Sequence, residues 1–224
     1  SMLCGTDEMR IENLKKNPAL ATAIIERENE LENFTREFIS PNSERETTTD
    51  TALYVIPVVF HIIHNYGTEN ISNEQIYSAI DILNNTFRKQ RDDTASIIGV
   101  FKPLHADTRI EFRLAKRDPY GNCHSGIDRI ASSLTEIGDH SVKSLVQWNP
   151  ANYLNVYVVK NAAGLAGHAI FPSDADTIPS WDGIVLSHNY VGTIGTSNLT
   201  QSVAFAHECG HYLNLQHIWG GNNV

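Results

Sequence analysis

The sequence predicts an α/β or α+β domain, with helices packed on a β-sheet, preceded by a separate helical segment. Two observations predict it. Between residues 53 and 213, Val- and Ile-rich runs of strand length are interspersed with helical patterns. The first 39 residues show only helical spacing, and the polar stretch 40–50 that follows has no apolar residue to bury. We therefore divide the chain into an N-terminal segment with its linker, residues 1–50, and a main domain, residues 51–224.

Two helices are predicted in the N-terminal segment. Asp7 is expected to cap a short helix that ends at Lys16, since acidic residues fill its first turn. The Asn17-Pro18 pair interrupts this helix. Pro18 suits the first turn of a second helix that runs to about Ile39.

The main domain begins with a buried strand over residues 53–64. Ser72 caps the next helix, with Gln75 as the partner of a capping box, and this helix is expected to run to about Gln90. A last helix is predicted over about residues 199–213. Five further strands are predicted between these two helices: 109–116, 126–131, 153–160, 167–171 and 183–188.

Composition and charge exclude several classes of protein. The apolar fraction is 41%, which is enough for a core, and the net charge is −9. An acidic chain without a basic cluster is not expected to bind nucleic acid or an anionic membrane. The longest apolar run, residues 53–63, is too short to span a bilayer. Three cysteines do not make a disulfide framework.

The segment His207-Glu208-Cys209-Gly210-His211 carries the clearest chemistry. Residues four apart on a helix share one face, so the two imidazoles can meet one metal ion, and zinc favours nitrogen ligands. The carboxylate of Glu208 can reach a metal-bound water without being a ligand. This is the spacing found in zinc peptidases. Cys209 falls on the opposite side of the helix, toward the core.

His217 is the third candidate ligand, and it requires a particular backbone. On a continuous helix it would lie about 15 Å beyond His207, too far to share a metal. It can bind only if the helix stops near residue 213 and the chain turns back. Asn214 stands at the turning point, and asparagine tolerates a left-handed conformation. We therefore predict that Asn214 has a positive φ and ends the helix.

Residues 207–217 resemble the metzincin pattern His-Glu-x-x-His-x-x-Gly-x-x-His, with Asn214 in place of the glycine. The continuation Ile-Trp-Gly-Gly, residues 218–221, is similar to the pappalysin family in its bacterial, ulilysin-like branch. Segments 56–61, 167–172 and 182–186 agree in order. The resemblance implies a twisted, mostly parallel five-stranded sheet with an antiparallel edge strand, a backing helix and an active-site helix, preceded by a helical pro-segment.

The zinc motif predicts an endopeptidase mechanism. His207, His211 and His217 would hold Zn²⁺ and leave one position open for water, whose pKa the metal lowers. Glu208 would take the proton of that water as general base and pass it to the leaving amine as general acid. The substrate would be a protein or peptide.

Two further features of the site follow from the residues and from the resemblance. An edge strand at residues 167–171 could pair with an extended substrate, and the resemblance places Gly167, His168 and Ala169 on the upper rim of the cleft. A thiolate at Cys4 would fill the open position on zinc, as in the zymogens that this chain resembles. The pro-segment would then be an intramolecular inhibitor, removed by a cut near residues 43–45.

Several alternatives and expectations remain. The chain could be an inactive metalloprotease-like binding or adhesion module, or a gluzincin-type peptidase with a glutamate as third ligand. By resemblance, a subdomain with a methionine turn is expected after residue 224, with Ca²⁺ sites possible there. The chain is expected to be secreted and monomeric. The other histidines, including His61, His64 and His188, are interpreted as structural or solvated, and Cys123 as a free thiol.

Overall fold

A computed structural model describes residues 4–39 and 52–217. Six strands form one sheet. Five α-helices accompany it within these ranges, interspersed with short 3₁₀ turns. The strands are β1 Tyr54–His64, β2 Ile110–Leu114, β3 Ile127–Ala131, β4 Leu154–Val159, β5 Gly167–His168 and β6 Ile184–Ser187. The helices are α1 Thr6–Lys16, α2 Pro18–Ile39, α3 Asn73–Phe87, α4 Pro172–Thr177 and α5 Val203–Tyr212.

The strand order across the sheet is β2-β1-β4-β6-β5, and β3 also pairs with β1. Residues 54–58 of β1 pair with β2, and residues 60–64 pair with β3. Because β4 occupies the other side of β1, the two short strands lie end to end on one side. Six strands thus fill the five positions of the sheet that the resemblance implied, because β2 and β3 share one position. Every pairing is parallel except that of β5 with β6, which confirms the antiparallel edge strand.

Alternate residues of β1 face opposite sides of the sheet, as the period of a strand requires. Val58, Phe60 and Ile62 join the largest apolar cluster, in which α3 and α5 pack on the same face of the sheet. The ring of Phe205 meets that of Phe60 edge to face at 5.6 Å between centroids. This packing fixes α5, the helix of the predicted metal ligands, against the centre of the sheet.

The opposite face holds a second apolar cluster and buried polar contacts. Ile63, Tyr157 and Val185 pack there against the 3₁₀ turns that follow β3. His61 is fully buried, and its Nε2 lies 3.0 Å from Asn155 Oδ1. This contact supports the structural interpretation of His61.

Several element boundaries differ from the prediction, and the structure gives a local reason for four of them. The N-cap of α1 is Gly5, and Asp7 lies inside the helix, because its carboxylate contacts His217 instead. The strand β5 ends at His168, since Pro172 already begins α4. The helix α3 ends at Phe87, before a positive φ at Lys89. The helix α5 begins at Val203, since turns occupy the residues from 199 to 202.

The N-terminal segment folds into two helices that lie on the main domain. α2 packs against α4, and α1 lies beside the edge strand β5. None of the three apolar clusters found in the described part of the chain includes a residue of 4–39. The three apolar clusters are therefore built by the main domain alone, although Ile24 of α2 is also buried. Within the described ranges, no helix is both long and apolar enough to cross a membrane.

Candidate metal centre

The three histidines singled out by the sequence converge on one point. His207 and His211 lie one turn apart on α5, and their Nε2 atoms are 3.0 Å apart. The Nε2 atom of His217 lies 3.2 Å from that of His207 and 3.1 Å from that of His211. His217 thus lies where a gluzincin-type peptidase would need a glutamate as its third ligand.

A left-handed residue brings His217 back toward the helix. Asn214 has a φ of 70°, as predicted. Its N–H donates to the carbonyl of His211, and the N–H of Leu215 donates to that of Gly210. These two bonds form a Schellman motif, which satisfies the last carbonyls of α5 while reversing the chain.

The hydrogen bonds of the outer ring nitrogens indicate which form of His211 and His217 faces the centre of the cluster. His211 Nδ1 is 2.7 Å from the carbonyl oxygen of Leu215, so it donates. His217 Nδ1 is 2.7 Å from Asp7 Oδ2 and donates to that carboxylate. In a neutral imidazole the other nitrogen then carries a lone pair. Two lone pairs about 3 Å apart repel unless a cation lies between them.

Burial favours the neutral form of His207 and of His211. The pKa of His207 is lowered to about 4, chiefly by burial and then by the two neighbouring imidazoles. The pKa of His211 is also lowered, again chiefly by burial. Neutral imidazoles with converging lone pairs are the form in which histidine binds a metal.

Cys4 supplies the fourth donor. Its Sγ lies 3.4 Å from His211 Nε2, and the four donor atoms all lie within 4.8 Å of one another. Tetrahedral zinc, with bonds of about 2.0–2.1 Å to nitrogen and about 2.3 Å to sulfur, requires N···N distances of about 3.3 Å and N···S distances of about 3.5 Å. The three N···N distances and the distance from Cys4 Sγ to His211 Nε2 are close to these values, so the four side chains fit zinc.

Glu208 is buried beside the fourth donor. Its carboxylate accepts a hydrogen bond from Thr6 Oγ1 at 3.1 Å and contacts the thiol of Cys4. Burial raises the pKa of Glu208 to about 7, although the two hydrogen bonds oppose the shift. The group that occupies the fourth position is therefore within reach of a carboxylate that can gain or lose a proton near neutral pH.

The N-terminal segment pairs with the edge strand next to these groups. Cys4 forms a parallel bridge with Gly167, and the N–H of Gly5 donates to the Gly167 carbonyl at 3.2 Å. The N–H of Ala169 donates to Thr6 Oγ1 at 3.0 Å. The backbone groups of the predicted substrate strand thus bind the segment itself.

The His168 side chain does not share this position. It is fully buried, its Nε2 lies 3.0 Å from the carbonyl oxygen of Gly138, and its ring meets that of His140 edge to face. A Cβ on Gly167 would lie 2.7 Å from Leu186 Cδ2 and 2.8 Å from the Val185 carbonyl oxygen. Glycine at position 167 therefore allows β5 to lie close to β6 beside the histidine cluster.

Sequence reasoning missed Thr6 and Asp7 as residues of the site. Asp7 lies beside His217, and Thr6 joins Glu208 to the edge strand. The only signal available was their position directly after Cys4 and Gly5. The predicted cut at residues 43–45 and the motif at 218–221 lie outside the described residues.

Comparisons with known proteins point to one family. The model of the family described as "Pregnancy-associated plasma protein-A" matches residues 137–223. A solved structure of a Tannerella forsythia promirolysin mutant is 32% identical, covers 98% of this chain and 71% of that chain, and superposes with a TM-score of 0.80. Mature mirolysin from the same organism, solved with a cleaved peptide, is 36% identical, covers 76% and 66% of the two chains, and gives a TM-score of 0.70.

Curated relatives give a similar result at lower identity. An extracellular metalloprotease of Arthroderma otae is 26% identical over 181 residues, which cover 79% of this chain and 57% of the relative. An extracellular metalloprotease of Trichophyton verrucosum is 26% identical over 192 residues, which cover 84% of this chain and 61% of the relative. The chain therefore spans about three-fifths of the length of these relatives.

Proposed function

Because this chain belongs to the pappalysin family of metallopeptidases, we propose that it is a zinc-dependent endopeptidase held in a latent form by its own N-terminal segment. The observation that carries the proposal is the convergence of three Nε2 atoms, 3.0–3.2 Å apart, beside a buried carboxylate. Neutral imidazoles in this arrangement need a cation between them. Glu208 lies next to the position at which a reacting group would replace Cys4.

His207, His211 and His217 would hold the zinc ion throughout the reaction. Zinc, when bound, supplies Lewis-acid chemistry that polarises a peptide carbonyl and makes water a better nucleophile. Glu208 would accept the proton of the attacking water and later return it to the leaving amine. A pKa raised to about 7 by burial suits both steps, since a group that titrates near the working pH can take and release a proton.

Latency would come from contacts made by each of residues 4–6. The Cys4 thiolate would take the fourth position on the metal and exclude water from it. The hydroxyl of Thr6 binds Glu208 and the N–H of Ala169. The N–H of Gly5 binds the carbonyl of Gly167. The segment therefore engages the metal site, the general base and the substrate strand together.

Coverage of the two solved relatives supports the division into pro-segment and catalytic domain. The pro-form matches 98% of this chain and the mature form 76%, and the difference of 22% corresponds to about 49 residues. This is close to the length of the proposed pro-segment, residues 1–50, which precedes the catalytic domain of residues 51–224. Removal of the segment would free the backbone of Gly167 and Ala169 for a protein or peptide substrate.

We further propose that the protein is secreted and acts as a monomer. The curated relatives are named extracellular metalloproteases, which supports secretion. The comparisons give no support to the Ca²⁺ sites that the resemblance implied. An inactive adhesion module remains the competing hypothesis, and it differs from ours in predicting no turnover.

The experiment compares the wild-type chain with Glu208→Gln and Cys4→Ala. Zinc content is measured by atomic absorption, and hydrolysis is followed with a denatured protein as substrate. We expect Cys4→Ala to hydrolyse faster than the latent wild type. The double variant Cys4→Ala with Glu208→Gln should keep zinc and lose at least about 100-fold in turnover, the range of general acid–base catalysis. Turnover by the double variant at the rate of Cys4→Ala would contradict the role of Glu208.

A further inference from the structure

A small cavity lies between α1 and the main domain, away from the metal. Its wall on the side of the N-terminal segment includes Met9, Asn13 and Leu14 of α1. Its wall on the side of the main domain includes His140 and Trp181. Because α1 closes one side of this cavity, departure of the N-terminal segment would open the cavity to solvent.

The imidazole of His140 is held in the cavity wall by aromatic rings. It stacks on the ring of Trp181, with 4.9 Å between centroids and 6° between the planes. It meets the ring of His168 edge to face at 5.2 Å. Both ring nitrogens of His140 are buried, and neither has a hydrogen-bond partner among the described residues. A proton added to this ring would therefore be a second buried donor and would carry a charge.

A buried cation in the same 3₁₀ turn also opposes protonation of His140. This turn spans His140–Ser144 and contains Lys143, whose Nζ donates to the carbonyl of Gly183 at 3.0 Å. Burial lowers the pKa of His140 to about 2, and the charges of Lys143 and His168 add to the shift. While α1 is docked, His140 stays neutral.

The other elements around His140 and its neighbours bring charges of both signs. These groups are Asp139, which caps the turn, Asp182 before β6, Asp174 of α4, Arg10 of α1 and Glu28 of α2. Arg10 Nε lies 2.9 Å from Asp174 Oδ2, and Arg10 Nη2 lies 3.0 Å from Glu28 Oε1. Departure of the segment removes Arg10 and Glu28. The carboxylate of Asp174 would then lie beside the opened cavity, where it favours a protonated imidazole.

The docked segment therefore excludes a proton that the opened chain can bind. An imidazole in solvent titrates near 6.5, whereas the pKa of His140 is about 2 when α1 covers it. Below pH 6.5 the open form takes up a proton and the docked form does not, so a fall in pH favours opening. Between pH 7 and pH 5, these two pKa values raise the opening equilibrium constant about 25-fold.

We propose that His140 makes the docking of the N-terminal segment pH-dependent, so that the latent chain opens more readily in acid. The proposal rests on the proposed function, since it assigns a means of regulation to the latency of the same site. His140 belongs to the main domain and acts on the contact with α1. It is not one of the four side chains that converge at the metal site.

Hydrogen exchange of the α1 amides measures this opening in the full chain. The parent chain carries Glu208→Gln, so that the linker is not cut during the measurement, and zinc is present in excess. Exchange rates at pH 7 and pH 5 are divided by the intrinsic chemical rates, which gives the opening constant at each pH. Two variants of the parent remove the titrating ring. His140→Phe keeps an aromatic ring on Trp181, and His140→Gln keeps a polar side chain.

From pH 7 to pH 5, the opening constant of the parent should rise at least about tenfold more than that of either His140 variant. His105→Gln is the matched control, because His105 is not among the described residues that line the cavity. This control should behave like the parent.

Two outcomes would overturn the proposal. One is an equal rise in the parent and in both His140 variants. The other is a rise that His105→Gln reduces as much as the His140 variants do. A pH-dependent opening that requires His140, in a protein whose Glu208 form hydrolyses nothing, would contradict the proposed function alone. Hydrolysis by the Glu208 form, together with an equal rise in the parent and the His140 variants, would contradict the role of His140 alone.

Discussion

Replacement of Asn214 tests whether a left-handed turn presents the third histidine. Asn214 has a φ of 70°, and its N–H and that of Leu215 close the Schellman motif on α5. A β-branched residue pays about 1–2 kcal/mol to adopt this conformation, and glycine pays almost nothing. His217 can reach the other two rings only while residue 214 stays left-handed. The conformational free energy of residue 214 therefore lowers the affinity for zinc.

At 1.4 kcal/mol for each tenfold change, we expect Asn214→Val to bind zinc about 5- to 30-fold more weakly than wild type. Asn214→Gly should bind at least as tightly as wild type. Competition with a chromophoric chelator measures both Kd values. Gln216→Val is the control, because Gln216 is exposed and its φ is not positive. A folded Asn214→Val chain with wild-type zinc affinity would refute this account of how His217 reaches the metal.

Three further predictions concern other parts of the site and its support. Thr6→Val leaves the carboxylate of Glu208 and the N–H of Ala169 without their partner, so the N-terminal segment should dock less tightly by about 2–4 kcal/mol. Hydrogen exchange of the α1 amides should therefore be faster than in Thr6→Ser. Equal exchange rates in the two variants would contradict the contact. Asp7→Asn removes the carboxylate from His217 Nδ1 and should weaken zinc binding about 10- to 100-fold in chelator competition, whereas unchanged affinity would deny Asp7 that role. Burial lowers the pKa of His168 to about 3. Below the ordinary histidine pKa of 6.5, the unfolded state therefore takes up a proton that the folded state does not. The free energy of unfolding accordingly falls as pH drops from about 6.5 toward 3. Between pH 7 and 4.5, wild type should lose about 2–3 kcal/mol more than His168→Gln in urea unfolding, and equal losses would show that this histidine is not the cause.

The metal site was predictable because its histidines lie close together in the sequence. Two histidines four apart on a helix share a face whatever the rest of the fold does. The need for His217 to turn back then identified Asn214 as the residue with positive φ, and the structure confirms it. Strand positions followed from apolar runs in the same way, although their ends shifted by a few residues.

Contacts between distant parts of the chain were not predictable from spacing. Aspartate is a preferred residue at helix N-caps, but the carboxylate of Asp7 instead binds His217, 210 residues away. Arg10 and Asp174 are 164 residues apart, and neither belongs to a motif.

The capping box of α3 was predicted only in part. Gln75 donates its N–H to Ser72, as a capping box requires. Its side-chain amide instead donates to the carbonyls of His188 and Val191, because the loop after β6 lies over the helix start. The hydrogen-bond partner of such a side chain depends on which loop folds over the helix, and that is a property of the tertiary structure.

X-ray absorption at the zinc edge tests the central claim most directly, since it reports the atoms around the metal in the intact chain. We predict one sulfur at about 2.3 Å and three imidazole nitrogens at about 2.0–2.1 Å. In Cys4→Ser, the sulfur should disappear while the three nitrogens remain. A zinc-loaded wild-type chain with no sulfur neighbour, or with fewer than three imidazoles, would contradict a single cation shared by Cys4, His207, His211 and His217.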